Sequence, residues 1–388
     1  MSAAAGGGRR QRARGQPTVV TLAMRLRDLR NRLLASPRFQ RWAAAFPLTR
    51  PVARRHTREL FDLVAGFVYS QVLAACVRLD LFERLAADGP VTSTTLAEIT
   101  GVPEDRLQVL LRAAAALRLL ERASAEHWDL GPLGAALRGN PGVVAMIRHH
   151  ALLYEDLRDP VGLLRDAPPT SLGVFWGYAG AELPASLAGQ AVGDYSSLMA
   201  VSQQLVAEEI LGAYPLGRHR QLLDVGGGHG AFTTAVAEHV PSLRLGMFDL
   251  PAVAAQARER LSQAGLAERI DVHGGDFFRD PLPRGADVIT LVRIVHDHDD
   301  EPVRRLLRAV HEALPPGGRL LLAEPMAETR RAEPAGDAYF GIYLMAMGSG
   351  RPRSRAVLES LLLEAGFSRV RERRTHTPLL IRLLVAER

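Results

Sequence analysis

From Leu60 onward the apolar positions Leu63, Val64, Phe67 and Val68 recur at helical spacing, and the stretch continues through Leu73 to Leu81. The pattern predicts a long helix from Leu60 to Leu79 with one buried face. A Gly89-Pro90 break, a segment from Thr92 to Ile99, Gly101, and a phased run from Pro103 through Leu107, Leu110, Leu111, Ala114 and Leu117 predict a helix-turn-helix. His127 to Leu130 reads as a short strand behind it, so the unit has the pattern of a winged helix. Between Gly139 and Gly193 come Met146, His149, His150, Leu152, Leu153 and Tyr154, then a linker-like stretch rich in Pro, Gly and aromatics, with Phe175, Trp176 and Tyr178. From Gln221 apolar runs alternate with amphipathic helices, the signature of a parallel sheet built from βαβ units. The expected strands are residues 221–225, 243–248, 270–273, 287–292, 319–324, 370–374 and 379–386. The last two are close in sequence and predict a terminal antiparallel hairpin.

Length and composition refine this picture. A chain of 388 residues, 47% hydrophobic and 23% charged, is expected to form two soluble globular domains. The basic residues are all arginine, and 14 of them stand in residues 1–58 against the single acid Asp28. That arm has a local balance of +13 while the whole chain has +6, so the remainder is net acidic. Such an arm suits phosphates, including those of an anionic membrane surface. The lone Cys76 excludes an intramolecular disulfide, and a cytoplasmic protein fits. Arg9, Arg10, Arg12 and Arg14 are not followed by an apolar h-region, so no secretory signal is expected. Asp62, Gln71 and Arg78 interrupt Leu60 to Leu79 below the roughly 18 apolar residues of a membrane span. A solvated tail that keeps the protein soluble is the plainer reading of the arm, and peripheral contact with an inner or photosynthetic membrane is the alternative. Nucleic acid is not expected as a partner, because the second helix of the winged unit opens with Glu104 and Asp105 and offers only Arg106, Gln108 and Arg112 as groove readers.

The strongest chemical signal is Leu222-Leu223-Asp224-Val225-Gly226-Gly227-Gly228-His229-Gly230, an apolar strand running into a glycine turn and then a helix. Glycines there let the backbone approach a nucleotide and present its N–H groups. Gly226, Gly228 and Ala231 fit a dinucleotide spacing, which by itself is weak. Asp249, at the end of the second strand, can accept both ribose hydroxyls. Asp276 after the third strand can accept from an adenine amino group, with Phe277 beside it as a stacking surface. Asp224 precedes the glycines, where it would crowd a pyrophosphate but suits the cationic end of a ligand without one. These positions fit S-adenosylmethionine better than NAD.

His296-Asp297-His298-Asp299-Asp300 follows the fourth strand and should face the same crevice. His296 is the candidate general base. The cluster is similar to the H-x-H-x-D-H run of dinuclear metallohydrolases, but Glu301 stands where the last histidine would be, and no metal is expected. Asp299 and Asp300 read as solvated helix caps ahead of Pro302 and the amphipathic Val303, Leu306, Leu307 and Val310.

Taken together, Leu223 to Gly230, Phe248-Asp249-Leu250-Pro251, Gly275-Asp276-Phe277-Phe278, Ile294-Val295-His296-Asp297, Leu314-Pro315-Pro316-Gly317-Gly318 and Glu364-Ala365-Gly366-Phe367 resemble the plant-type S-adenosylmethionine-dependent O-methyltransferase family. Ser36 to Trp42, Phe61 to Gln71, Arg148 to Tyr154 and Leu291 to Asp300 resemble its carotenoid branch, the hydroxyneurosporene or demethylspheroidene O-methyltransferases. The resemblance implies a Rossmann-like α/β methyltransferase domain with a mostly parallel seven-stranded sheet and terminal antiparallel hairpin, preceded by a mostly helical winged-helix dimerisation domain. The expected organisation is a basic arm at 1–58, a dimerisation and substrate domain at 59–194, and a cofactor-binding catalytic domain at 195–388. It further implies an intertwined homodimer, a lipophilic substrate, His296 as base and Asp249 on the cofactor. The same chemistry on a polyketide or phenolic metabolite, or a catalytically silent regulatory protein, are the alternatives. Where the plant-type pattern has tryptophan this chain has His298, and it lacks the glutamate often found near Arg355. Glu324 matches the family's other orienting glutamate, which leaves Asp297, Glu324 or neither to orient His296.

Overall fold

The computed structural model describes residues 22–176 and 203–388; Tyr178, Gly193, the boundary at 195 and the arginines before residue 22 lie outside them. The chain divides into two compact units, Met1–Val72 and Leu73–Arg388.

In the first unit, α1 (Leu22–Ala35) places Leu22, Leu26, Leu29 and Leu33 on one stripe, with Arg25, Arg27, Arg30 and Arg32 around the rest, and buries none of its residues. After the Ser36 cap, α2 (Pro37–Ala45) starts with proline, and Phe39, Trp42 and Phe46 stack with centroids 5.7 and 5.2 Å apart. The long helix, α3 (Arg50–Arg78), begins ten residues before the apolar pattern does and runs into the second unit. Arg55 and Glu59 pair one turn apart at 2.7 Å, support that apolar periodicity cannot report. Only Cys76 and Val77 on α3 are buried, so the described residues do not cover the expected buried face. The interruptions counted in the sequence also prove too sparse: an 18-residue window of α3 has mean hydropathy 1.8, long and apolar enough by length and composition alone to cross a membrane.

The second unit opens with α4 (Leu81–Asp88), β1 (Val91–Thr92), α5 (Ser93–Thr100), α6 (Glu104–Ala116), β2 (Leu120–Arg122) and β3 (His127–Leu130). Gly101 takes a φ of +67° to end α5, and the strands pair antiparallel in the order β1-β3-β2, the expected winged helix. Glu104 accepts from Ser93 Oγ at 2.8 Å, so the acid that opens α6 ties the two helices together.

After α7 (Pro132–Arg138), the region from Gly139 expected to be linker-like is largely helical as far as it is described: α8 (Pro141–Asp156), α9 (Pro160–Asp166) and α10 (Ser171–Phe175). Pro132, Pro141 and Pro160 stand at helix starts, where a missing N–H costs nothing, and Asp156 caps α10 by accepting from Ser171 and Leu172 N–H.

Helical residues 203–213 (α11) lead into a seven-stranded sheet. Its strands are β4 (Gln221–Val225), β5 (Arg244–Asp249), β6 (Ile270–Gly274), β7 (Val288–Val292), β8 (Arg319–Glu324), β9 (Arg369–Arg373) and β10 (Arg382–Glu387), in the order β6-β5-β4-β7-β8-β10-β9. The first five pair parallel and β10 runs antiparallel between β8 and β9. The final strand starts at Arg382 rather than 379, because Leu380 and Ile381 N–H close a turn on Thr377 O. All five residues of β7 are buried, as befits a central strand covered on both faces. On one side α14 (Asp300–Ala313) packs Val303, Leu306, Leu307 and Val310 against Ile289, Leu291 and Leu320. On the other, Ile210 and Tyr214 join Phe232 and Val236 of α12 (Ala231–His239) against Leu222, Val288 and Leu321. α13 (Pro251–Gln263) follows β5, a π-helical segment (Pro334–Phe340) leads into α15 (Gly341–Met347), and α16 (Arg355–Glu364) precedes β9. Because β4 pairs with both β5 and β7, the strand order reverses at β4, and the crevice at its carboxyl end is where such sheets bind ligands.

Candidate active site

Two loops meet at that crevice. The first is the glycine turn after β4, in which Gly226, Gly228 and Gly230 have φ of +75°, +58° and +78°, conformations that side-chain-bearing residues rarely adopt. A Cβ on Gly226 would stand 2.4 Å from Ile294 of the second loop, whereas one on Gly228 would meet nothing within 4 Å. The turn is packed on one side and open on the other. Asp249 holds it there: one carboxylate oxygen accepts from Gly228 N–H and the other from Leu250 N–H, both at 2.7 Å. Burial keeps the Asp249 carboxyl above its usual range.

Asp224 is placed differently from a residue in direct contact with a ligand. It is buried beneath the turn, accepts from Thr290 Oγ1 on β7 at 2.6 Å, and lies against Gly227. Burial, opposed by the threonine bond, pushes its pKa up to about 7. Asp276 turns back on its own loop, accepting from Phe278 N–H at 2.8 Å and lying 3.4 Å from Arg279. Phe277 and Phe278 both meet His298 edge-on, at 5.7 and 5.0 Å, so the histidine that replaces the family's tryptophan packs against the expected stacking surface. Burial depresses the His298 pKa and keeps the ring neutral.

The open side of the glycine turn, the Asp249 carboxylate at the end of β5 and the aromatic surface at Phe277 form a cradle that fits S-adenosylmethionine. Gly228 leaves room for close backbone approach, and the Asp249 carboxylate at the strand end suits hydroxyl donors such as those of a ribose. Among the described residues, no three His, Cys, Asp or Glu side chains come together as a metal site.

The second loop is the 3-10 turn Val295–Asp297 after β7. His296 is buried, and its Nδ1 lies 2.5 Å from Oε2 of Glu324 at the end of β8. The other oxygen of Glu324 accepts from Ile294 N–H at 3.0 Å and Val295 N–H at 2.7 Å. Nε2 lies 3.1 Å from Asp297 Oδ1, so both carboxylates left open by the sequence contact the imidazole, on opposite edges. Burial alone would push the His296 pKa down, but the charges of Asp297 and Glu324 carry it above its usual value. Burial also raises the Asp297 pKa. An imidazole held this way has one nitrogen committed to Glu324 and the other available for proton exchange on the side of Asp297.

Two contributors, Arg293 and Thr290, went unremarked in the sequence. Arg293, two residues before the 3-10 turn, has a φ of +58°, and its charge opposes in part the net rise of the His296, Asp297, Tyr339 and Tyr343 pKa values. Thr290 was hidden inside an apolar strand. A third wall joins the site from α15 and the π-helical segment before it. Phe340 lies edge-on to His296 at 6.1 Å, Tyr343 OH pairs with His149 Nε2 at 2.7 Å and accepts from Trp176 Nε1 at 2.9 Å, and Tyr339 OH pairs with His150 Nε2 at 2.7 Å. Burial depresses the His149 pKa to about 4, so this ring is neutral at physiological pH. Around these polar pairs pack Leu153, Leu163, Leu172, Leu344 and Met347. Asp299 and Asp300 do not act as solvated caps: Asp299 makes no side-chain capping bond and accepts from Gly350 N–H, while Asp300 pairs with Arg351 and Arg353. Acceptors so near a folded segment are better satisfied by it than by the helix end.

Residues 61–138 match the O-methyltransferase dimerisation domain and residues 186–368 the O-methyltransferase domain. A demethylspheroidene O-methyltransferase of Cereibacter sphaeroides is 47% identical over 344 residues, 88% of this chain and 89% of that protein. One of Rhodobacter capsulatus is 43% identical over 384 residues, 99% of this chain and 95% of that protein. The solved mitomycin 7-O-methyltransferase MmcR superposes with a TM-score of 0.70 at 28% identity, covering 87% of this chain and 99% of that one. With its glycine turn, strand-end carboxylate and anchored histidine at one crevice, the chain belongs to the O-methyltransferase family and is an enzyme that uses S-adenosylmethionine as its cofactor.

Proposed function

We propose that the enzyme methylates a hydroxyl of a long lipophilic alcohol, a hydroxylated carotenoid of the demethylspheroidene kind, with His296 as general base. The observation that carries the chemistry is the Glu324–His296–Asp297 arrangement beside the glycine turn. In this reading Asp249, Gly226, Gly228, Asp276 and Phe277 hold S-adenosylmethionine, with Asp224 supporting the turn from below. When bound, that cofactor supplies an electrophilic methyl on a cationic sulfur.

Glu324 holds the Nδ1 proton, which leaves Nε2 as the basic position. A histidine near 6.5 cannot ionise an alcohol near 15.7 in advance, a gap of about 9 units or roughly 12 kcal/mol. Nε2 therefore takes the proton late, as the oxygen becomes acidic on alkylation, and most of the rate comes from alignment, about 7–11 kcal/mol. Asp297 favours the imidazolium after transfer and competes for Nε2 before it.

Support for the carotenoid acceptor comes from the two relatives, both demethylspheroidene O-methyltransferases, and from the apolar wall around Phe340, Leu344 and Met347. Residues 59–194 are read as the dimerisation and substrate portion of a homodimer. Peripheral membrane contact belongs to the same reading: α1 is amphipathic and basic, and Trp42 and Phe46 of the aromatic stack are exposed. The test is incubation with S-adenosylmethionine and a panel of hydroxylated carotenoids and phenols, followed by mass analysis for one added methyl. Preference for a phenol would overturn the carotenoid acceptor. Deleting residues 1–55 should abolish sedimentation with anionic vesicles; unchanged sedimentation would remove the membrane reading.

A further inference from the structure

α15 ends at Gly348, and the next five residues, Ser349 to Arg353, run along the His296 loop and occupy its carbonyls one by one. Arg353 Nη1 donates to Val295 O at 2.7 Å, Arg351 N–H to His296 O at 2.9 Å, Ser349 Oγ to Asp297 O at 2.9 Å, and Arg353 Nη2 to His298 O at 2.7 Å. Four consecutive carbonyls of the loop are held by one short segment. Gly350 makes this approach possible, since at its φ of +78° a Cβ would stand 2.1 Å from His296 O. Arg353 is itself 3% exposed, and its guanidinium also donates to Asp300 Oδ1 at 2.7 Å, which keeps the buried charge paired. The planar fork of arginine reaches two carbonyls and a carboxylate at once, which a lysine cannot do.

We propose that Arg353 is a positioning residue for methyl transfer, holding the backbone of residues 295–298 so that His296 Nε2 faces the acceptor, and that through Ser349 to Arg353 it fixes the base loop to the helix forming the acceptor wall. The proposal rests on the reading of His296 as the base. Arg353 touches neither the imidazole nor the crevice; it acts through the peptide carbonyls on either side of His296. Glu324 fixes the ring from the side-chain end and Arg353 fixes the loop from the backbone end.

The test compares Arg353→Met and Arg353→Lys with the intact homodimer, using demethylspheroidene as acceptor and S-adenosylhomocysteine as the binding probe. Misplacing a catalytic group by about 1 Å costs about 10²-fold, so Arg353→Met should lower kcat by about that factor while acceptor KM and S-adenosylhomocysteine affinity stay within about twofold. Arg353→Lys should recover part of kcat. Ser349→Ala removes one carbonyl partner and no buried charge, and should lower kcat about fivefold even if Arg353→Met fails to fold. A readout independent of any acceptor is the downfield proton resonance of the short His296–Glu324 bond, which should shift in both variants. Failure of His296→Ala to impair turnover would remove the base reading itself, whereas a folded Arg353→Met or Ser349→Ala variant with unchanged kcat and an unmoved His296 resonance would overturn the positioning role alone.

Discussion

Glu324→Gln is the sharpest test of how His296 is held. Three donors converge on the carboxylate: Ile294 N–H and Val295 N–H on one oxygen, His296 Nδ1 on the other. Glutamine has one carbonyl oxygen and one NH2, so whichever way it turns, either a donor faces a donor or the imidazole takes the other tautomer, with its proton on Nε2 and no base there. Hydrogen bonds to charged groups contribute about 1.5–3 kcal/mol, and their loss here should lower kcat about 10- to 150-fold. The pH dependence gives the second half of the prediction. A base must be unprotonated to act, and the carboxylates of Asp297 and Glu324 raise the His296 pKa, so the acid limb of the wild-type profile should lie above 6.5. Removing one of the two charges should move that limb to lower pH while the plateau falls. The assay is kcat measured from pH 5.5 to 9 with saturating S-adenosylmethionine and demethylspheroidene. A limb that stays in place or moves up while the plateau falls would refute the electrostatic account, because Glu324 would then be acting on shape alone.

His296→Ala should reduce kcat by about 10²–10⁴-fold with S-adenosylhomocysteine affinity intact by calorimetry, and dialysis against EDTA should leave wild-type activity unchanged. Asp224 has a folded pKa of about 7 against about 3.8 unfolded, so the folded state binds the extra proton and stability falls as pH rises through that window. Asp224→Asn should remove this fall, a gain of up to about 4 kcal/mol at pH 8 and little at pH 4, read by denaturant titration at both pH values; equal effects at the two would contradict it. Tyr343→Phe removes the hydroxyl that His149 and Trp176 share and should raise acceptor KM about tenfold with S-adenosylhomocysteine affinity unchanged in the same titration.

What could be read from the chain was what is local in it. The run from Leu222 to Gly230 fixes a strand, a turn of positive φ and a helix within a few residues, and the structure has all three. The winged helix was equally readable, because apolar phase and a terminal glycine are short-range signals. The α3 boundary was not: residues 50–59 carry no apolar periodicity, and their helix is supported by side-chain pairing and continuity with the next turns. The helices of residues 141–175 were missed for a related reason. Proline and glycine punctuation looks the same in a linker and at closely spaced helix starts, and only the packing of Leu153, Leu163 and Leu172 against α15 separates the two.

The site follows the same division. Asp249 and His296 could be named because each ends a strand beside a turn, and strand ends converge in this topology whatever the side chains do. Their partners come from elsewhere in the chain: Glu324 lies 28 residues from His296, Thr290 lies 66 from Asp224, and Arg353 lies 58 from the Val295 carbonyl it holds. A side chain at such a distance carries no periodic signal: Glu324 was reached only through the family resemblance, Thr290 and Arg353 not at all, and Asp299 and Asp300 looked like helix caps although the segment after α15 claims them. The residues that perform the chemistry are thus fixed locally, while those that hold them in place are chosen by the fold. Substitutions in the second group should therefore change kcat and pH dependence more than cofactor affinity, the split that the Glu324 and Arg353 variants are designed to measure.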